Sequence, residues 1–117
     1  MTEIQDVVRE FTESYNAIRT VYSKADPLLV VRLIFDHNEN KNSIYTLEIN
    51  LKPGQDLEEI RNRVVQVTGM VPSFYLHGTQ MIVSHHLNIE MLKRINDLDS
   101  VVSIKGSPYS AGGSSDF

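Results

Sequence analysis

The 117-residue chain contains no cysteine. Disulfide bonds, thiolate catalysis and cysteine-ligated zinc or iron are therefore excluded. Basic residues are in the minority, because eleven Lys and Arg stand against fifteen Asp and Glu, which gives a formal charge of -4. This negative balance disfavours nonspecific binding to phosphate backbones and to anionic lipid.

Long apolar runs and a targeting signal are also missing. No run approaches the ~20 residues that a membrane-spanning helix needs, and Glu3 and Asp6 lie where a secretory signal carries Lys or Arg. We therefore expect a cytoplasmic protein that does not bind a membrane. The length suits one domain, and we predict a single α+β domain over 1–106 with a flexible tail over 107–117.

The first segment has the pattern of a long amphipathic helix, roughly 2–23. Thr2 and Gln5 stand in a capping-box relation, and proline at position 27 ends the segment. Apolar residues recur between them at helical spacing, namely Ile4, Val7, Val8, Phe11, Tyr15, Ile18 and Tyr22.

The rest of the chain alternates between strand-like and helix-like segments. Two runs rich in β-branched and aromatic residues, 28–36 and 43–51, flank the polar segment HNENKN and predict a hairpin. The following segments predict a helix from the Asp56 cap to Gly69, strands over 71–77 and 80–86, a helix capped by Asn88, and a last strand over 100–106.

From residue 43 onward the predicted order is strand, helix, strand, strand, helix, strand, which is the split βαβ pattern of ferredoxin-like domains. We therefore predict an α+β fold with a ferredoxin-like βαββαβ core over 43–106, preceded by the long N-terminal helix and an extra strand over 28–36. The first strand of such a core already has two neighbours. The extra strand must lie at an edge by a longer route, or the strand order must differ.

One face of the predicted sheet carries no helix. It presents apolar groups beside polar ones and therefore needs a cover, which is either the N-terminal helix of the same chain, favoured by its long apolar stripe, or a second subunit. The residues expected there are Ser73, Tyr75, His77, Gln80, Ile82 and Ser84 from the central hairpin, with Val30, Ile34 and Ile44.

The four histidines do not form a plausible metal site. With Gly78 and Thr79 as a two-residue turn, His77 faces Gln80, and His77 and His86 lie about 20 Å apart along the hairpin. His85 and His86 are adjacent in a strand and point to opposite faces. We therefore predict no bound metal.

No catalytic or nucleotide-binding motif stands out. The serines lack the glycine-flanked turn of a nucleophile elbow, and Glu58 and Glu59 suit the first turn of a helix. The glycine-bearing segments lack the lysine and following helix of a phosphate-binding loop. A single tyrosine on the sheet face also argues against RNA binding. We predict a protein without enzymatic activity, cofactor or nucleic-acid partner.

The segment GTQMIVSHHLNIEMLKRINDLDSVVSIKGSP resembles the subtilisin-propeptide type of proteinase inhibitor, over about Ser43 to Pro108. The resemblance implies a ferredoxin-like domain that packs its sheet on a subtilisin-like protease and lays its C-terminal tail in the substrate cleft. It also implies partner-binding residues, which are Tyr75 and Ile82 on the sheet and Ser107, Pro108, Tyr109, Ser110, Ala111 and Gly112 in the tail.

A second resemblance involves LEINLKPGQDLEEIRNRVVQVTGM, which is similar to the ACT type of amino-acid-sensing domain. Such domains dimerise through their sheets and bind effectors at the interface. Pro53 and Gly54 then occupy the position of the effector-binding loop.

These patterns lead to two hypotheses that remain open. The first is a protein-binding module, whose narrower form is an inhibitor or chaperone-like partner of a subtilisin-like protease. The alternative is a dimeric, ACT-like sensor of small molecules. Either a monomer or a homodimer is compatible with the sequence.

Overall fold

A computed structural model describes residues 2–109 and shows four helices and a four-stranded antiparallel sheet. The helices are α1 (Glu3–Val21), α2 (Pro27–Asn38), α3 (Leu57–Thr68) and α4 (Ile89–Asn96). The strands are β1 (Ile44–Leu51), β2 (Ser73–Tyr75), β3 (Gln80–His86) and β4 (Val101–Pro108).

The sheet has the order β2-β3-β1-β4, and every neighbouring pair is antiparallel. Alternate residues of β1 are buried, from Tyr45 through Leu47 and Ile49 to Leu51. These side chains meet apolar residues of α2, α3 and α4 in one core, which includes Leu33, Val64, Leu92 and Ile95. Three helices therefore cover one face of the sheet, and within residues 2–109 no helix covers the opposite, open face.

The predicted strand over 28–36 is wrong, because this segment forms α2. Asp26 caps the helix, its carboxylate accepting the Leu28 N–H, and Pro27 occupies the first turn. Proline suits that position because its missing N–H leaves no bond unmade. Leu29, Val30 and Leu33 then fall on one helical face and are buried. Burial against the sheet overrides the strand preference of the β-branched run.

Because residues 28–36 are helical, the sheet does not have to accommodate an extra strand formed by them. Between α1 and α2 a short stretch runs beside β4, where Ala25 forms an isolated parallel bridge with Ile104. The Ile104 N–H donates to the Lys24 carbonyl at 2.8 Å, and the Asp26 N–H donates to the Ile104 carbonyl at 2.8 Å. This bridge occupies part of the outer edge of β4, and Pro108, which lacks an N–H, ends the strand.

The β2–β3 connection also differs from the prediction. A 3-10 turn covers Leu76–Gly78, so Tyr75 faces Gln80, where His77 was expected. Strand β2 is correspondingly reduced to three residues, and His77 takes a positive φ of 57° in the turn. At the other end of the sheet β4 continues to Pro108, two residues beyond the predicted end of the last strand.

The remaining elements agree with the sequence patterns. Thr2 and Gln5 form the expected capping box of α1, Asp56 caps α3 and Gly69 ends it in the left-handed conformation, and Asn88 caps α4. Within residues 2–109, no helix combines the length and hydropathy that crossing a bilayer requires.

Candidate interaction surfaces

Helix α1 exposes most of its apolar residues. Ile4, Val7, Val8 and Phe11 are 59–76% exposed, and no residue of the helix is buried. The expectation that α1 folds back over the open sheet face is therefore wrong. A side chain as exposed as Phe11, at 66%, does not lie packed beneath a sheet.

The C-terminal end of α1 is attached to the helical layer. Ile18 and Tyr22 pack against the core. The Tyr22 hydroxyl donates to the Ile89 carbonyl at 3.0 Å, and the Lys93 ammonium donates to the Val21 carbonyl at 3.1 Å. Burial is the main reason why the pKa of the Tyr22 hydroxyl is raised, so it stays a donor at neutral pH. The helix is thus fixed at one end, while its first three turns present apolar side chains to solvent.

The apolar residues of α1 were recognised from the sequence, but their exposure was missed. The missed signal is their spacing. Ile4, Phe11 and Ile18 are seven residues apart, as are Val8, Tyr15 and Tyr22. A strict seven-residue repeat is typical of a helix that pairs with another helix, whereas a helix lying on a globular core shows a broader stripe.

The open face of the sheet is largely polar. The register brings Thr46 beside Ser84, whose hydroxyls lie 2.8 Å apart, and Glu48 beside Lys105, with 3.1 Å between carboxylate oxygen and Nζ. Asn50 also donates to the Ser103 hydroxyl at 2.9 Å. These polar side chains form hydrogen bonds and an ion pair with one another across the strands. The face is therefore more polar than the sequence predicted.

Part of that expectation fails because α2 is not a strand. Val30 is buried in α2 and Ile34 is half-buried there, so neither belongs to the sheet. His77 lies in the 3-10 turn, outside the strands. The remaining residues of that set are on the open face, namely Ile44, Ser73, Tyr75, Gln80, Ile82 and Ser84.

The residues assigned to partner binding are spread over the sheet. Tyr75 is half-exposed on edge strand β2, and Ile82 is partly buried on β3. Ser107 lies on the opposite edge strand β4, where it is buried and its hydroxyl has no hydrogen-bond partner among residues 2–109. Tyr109 follows β4, exposed, with its N–H donated to the Ile44 carbonyl at 2.8 Å. Pro108 ends β4, whereas Ser110, Ala111 and Gly112 lie outside the described residues.

A cleft lies beside the loop that was assigned to effector binding. Pro53 and Gly54 are themselves exposed, and Gly54 has the positive φ of 76° that its tight turn requires. The cleft begins at the next residue and is lined by Gln55, Asp56, Glu59, Ile60, Arg63, Leu98, Asp99 and Ser100. Several of these groups are already engaged, since the Asp56 carboxylate caps α3 and Arg63 pairs with Glu59 at 3.0 Å.

The histidines are separated by the fold. His85 is buried at 4% exposure, while His86 is exposed on the opposite face, as expected for neighbours in a strand. Desolvation lowers the pKa of His85 below its usual range. His85 Nδ1 contacts the His86 carbonyl at 2.7 Å, and its buried Nε2 has no hydrogen-bond partner in the part of the chain that the structure describes. Between residues 2 and 109, no three His, Asp or Glu side chains are grouped so that they can hold a metal ion.

The strongest unexplained feature of residues 2–109 is therefore the exposed apolar seam of α1, which consists of Ile4, Val8 and Phe11 with Val7 beside it. Comparison with known proteins adds no assignment, because no family model, no curated protein and no solved structure matches this chain.

Proposed function

We propose that this protein is a non-enzymatic protein-binding module and that the apolar seam of α1 is its binding surface. The observation that carries the proposal is the exposure of Ile4, Val7, Val8 and Phe11 on a single helix. Contiguous exposed apolar surface is costly in water and is characteristic of protein interaction sites.

Two features support a preformed binding surface. The capping box at Thr2 and Gln5 satisfies N–H groups at the start of α1, and Arg9 pairs with Asp6 at 3.2 Å one turn apart. The helix therefore needs little further ordering when it binds. An amphipathic helix that places its apolar face in a groove is a common mode of recognition.

For the fold we propose a ferredoxin-like arrangement of residues 44–108, preceded by two helices. The order β2-β3-β1-β4 supports it, together with the antiparallel pairing and the two helical crossovers on one face. In this arrangement the sheet and its helices hold α1 at one end and leave its N-terminal turns free.

The test is site-specific photocrosslinking. A benzophenone side chain replaces Phe11 in the seam or, as the matched control, Glu13 on the outer face of the same helix. In an extract of the source cells we expect protein adducts at position 11 and far fewer at position 13. Equal labelling at the two positions contradicts a binding role for the seam.

A narrower form of the proposal is that the protein inhibits subtilisin-like proteases. It is supported by the position of β4 at a sheet edge, which leads the chain through Ser107 and Pro108 to the exposed ring of Tyr109. An extended segment at such an edge suits pairing with a protease cleft by added-strand hydrogen bonds.

Titration against a subtilisin-type protease tests this form. The full chain should inhibit at micromolar concentration, and Tyr109→Ala should weaken inhibition. Phe35→Ala serves as the matched control, because it removes an exposed ring from α2, outside the residues assigned to protease binding. Uninhibited protease in the presence of the full chain contradicts the inhibitor hypothesis for this enzyme class.

The second candidate function is ACT-like sensing of a small molecule, and the cleft beside Pro53 and Gly54 favours it. Asp99 and Ser100 line the cleft near the N-terminus of α3, and a carboxylate suits the ammonium group of an amino acid. Thermal-shift screening of amino acids should then give a rise in Tm that Asp99→Asn abolishes and Asp6→Asn, on distant α1, retains. An unshifted Tm with every amino acid contradicts it.

A further inference from the structure

The apolar residues of α1 follow a coiled-coil repeat. Their spacing alternates between four and three residues for almost three heptads, and an amphipathic helix on a globular core does not need such regularity. The repeat comprises Ile4, Val8, Phe11, Tyr15, Ile18 and Tyr22.

Only the last part of this repeat packs against the protein's own core. Ile18 and Tyr22 pack against the protein's own core, while Ile4, Val8 and Phe11 remain exposed. The Phe11 and Tyr15 rings stack on the helix surface with their centroids 6.1 Å apart and their planes 15° from parallel. One continuous seam is thus half packed and half free.

We infer that two copies of this chain pair through the free part of the seam and form a short antiparallel coiled coil. The inference rests on the proposed function, since it names the partner of the α1 surface. A seam of this kind is complementary to itself, because the same side chains supply the knobs of one helix and the holes of the other.

The charge distribution on α1 permits this self-pairing. The positions flanking the free seam on one side are Gln5 and Thr12, and those on the other side are Val7 and Ser14. None is charged at neutral pH, so two identical helices meet without like-charge repulsion along the seam.

The antiparallel direction is favoured by the two ends of the helix. The first turn carries Glu3 and Asp6, and the last turn carries Arg19. A parallel pair places the acidic turns side by side, whereas an antiparallel pair brings the acidic turn of one helix near Arg19 of the other and opposes the helix dipoles. The antiparallel arrangement also places the two globular cores at opposite ends of the helix pair.

The buried area indicates a reversible dimer. Ile4, Val7, Val8, Phe11 and Tyr15 from each of two copies provide ten apolar side chains, and roughly 60–120 Å² of each gives a total on the order of 1000 Å². That total is near the lower limit for a specific interface. We therefore expect dissociation in the micromolar range.

Sedimentation velocity of the purified full chain between about 1 and 100 µM tests the inference, since this range brackets the expected Kd. We expect a shift from monomer to dimer with rising concentration. Phe11→Glu should remain monomeric throughout, because it places two carboxylates in the paired seam. Glu13→Gln on the outer face is the matched control and should dimerise like the unchanged protein.

Circular dichroism of Phe11→Glu at low concentration separates loss of pairing from loss of folding. The exposed Phe11 makes little contribution to the core, so the spectrum and Tm of the variant should equal those of the unchanged monomer. A dimer that persists in folded Phe11→Glu overturns pairing through α1.

Direction is tested with cysteines, which the natural chain lacks. A mixture of Ile4→Cys and Tyr15→Cys chains should oxidise mainly to the mixed disulfide, because antiparallel helices centred between Val8 and Phe11 bring positions 4 and 15 together. Rapid homodisulfide formation by Ile4→Cys alone overturns the antiparallel arrangement.

Failure of this inference differs from failure of the proposed function. A purified chain that is monomeric at about 100 µM overturns the dimer. Adducts of position 11 with a different protein in the photocrosslinking experiment then still support α1 as a binding surface. Equal labelling at positions 11 and 13 contradicts that surface itself.

Discussion

At the scale of single residues, two polar side chains are buried on the helix-covered face of the sheet. Tyr45 and His85 are cross-strand neighbours on β1 and β3, and both are buried. Tyr45 has a strong partner, since its hydroxyl donates to the Asp36 carboxylate at 2.6 Å. Among the described residues, His85 has a backbone contact at Nδ1 and no hydrogen-bond partner at Nε2.

His85 should make the free energy of unfolding depend on pH. Burial lowers its pKa in the folded state, so below the unfolded-state pKa, about 6.5, the unfolded chain binds more protons. Its contribution is complete above that pH and is lost progressively as the pH falls toward the lower folded pKa. Urea unfolding at a series of pH values should therefore show a loss below about 6.5 that is reduced in His85→Gln. His37→Gln, at an exposed site in α2, is the control and should retain the loss.

Replacement of Tyr45 by phenylalanine tests the link between β1 and α2. Desolvation first, and the hydrogen bond to Asp36 second, raise the pKa of the Tyr45 hydroxyl, which therefore remains a donor. Tyr45→Phe removes this bond to a charged acceptor and should lower the free energy of unfolding by about 1.5–3 kcal/mol. Tyr75→Phe, at a half-exposed position, should change it by less than about 0.5 kcal/mol. Equal effects of the two variants in urea titrations contradict the assigned role of the Tyr45 hydroxyl.

At the scale of secondary-structure elements, the sequence predicted those whose ends carry clear signals. Helices α1, α3 and α4 begin at the expected capping residues Thr2, Asp56 and Asn88. These signals are local, because a side-chain oxygen satisfies N–H groups only two or three residues away. The alternation of apolar and polar residues in the sequence also predicted strand β1 and which residues of β3 share a face of the sheet, as the burial of alternate residues shows.

The errors occurred where tertiary contacts decide the conformation. The apolar run of α2 has strand-forming composition, and its helical state depends on burying Leu29 and Leu33 in the core. The shape of the β2–β3 connection depends on the positive φ of His77. No strong signal in the sequence predicts a positive φ at this histidine. For the α1 surface, residue types identified the apolar stripe, but whether a core covers it depends on the position of α1 in the folded chain.

Truncations in α1 and α2 should separate the exposed helix from the buried one. Phe11→Ala removes an exposed ring and should change the free energy of unfolding of the monomer by less than about 1 kcal/mol. If Phe11 were packed in the core, the loss would instead be about 3 kcal/mol or more. Leu33→Ala, in the core at 1% exposure, should cost about 2–5 kcal/mol. Urea unfolding at low protein concentration gives both values, and equal losses contradict the exposed placement of Phe11.

At the scale of the whole molecule, the buried core and the exposed apolar seam proposed for association lie in different parts of the chain. The core joins β1, β3 and β4 to α2, α3 and α4, while the first half of α1 contributes no buried residue. Substitutions in the seam are therefore expected to alter association without unfolding the core. The sequence predicted helix α1 but favoured packing its apolar residues on the sheet, and only the three-dimensional arrangement shows that its first half is exposed.

Deletion of residues 2–14 tests this separation. The deletion removes the exposed turns of α1 and keeps Ile18 and Tyr22, which pack against the core. The shortened chain should unfold cooperatively with a free energy within about 1 kcal/mol of the unchanged monomer. Deletion of residues 2–23 is the contrasting variant and should be clearly less stable, because it also removes the Tyr22 contacts. Loss of cooperative unfolding after the shorter deletion contradicts an independent core.

The two borders of the sheet have a consequence for aggregation. On one side β2 offers only three residues to an incoming strand, and on the other side the bridge at Ile104 and the proline at 108 interrupt the outer edge of β4. Amyloid growth requires a long, regular edge on which chains stack. The folded protein therefore offers poor templates for fibril elongation, and concentrated solutions are expected to remain free of thioflavin-positive material while the core is intact.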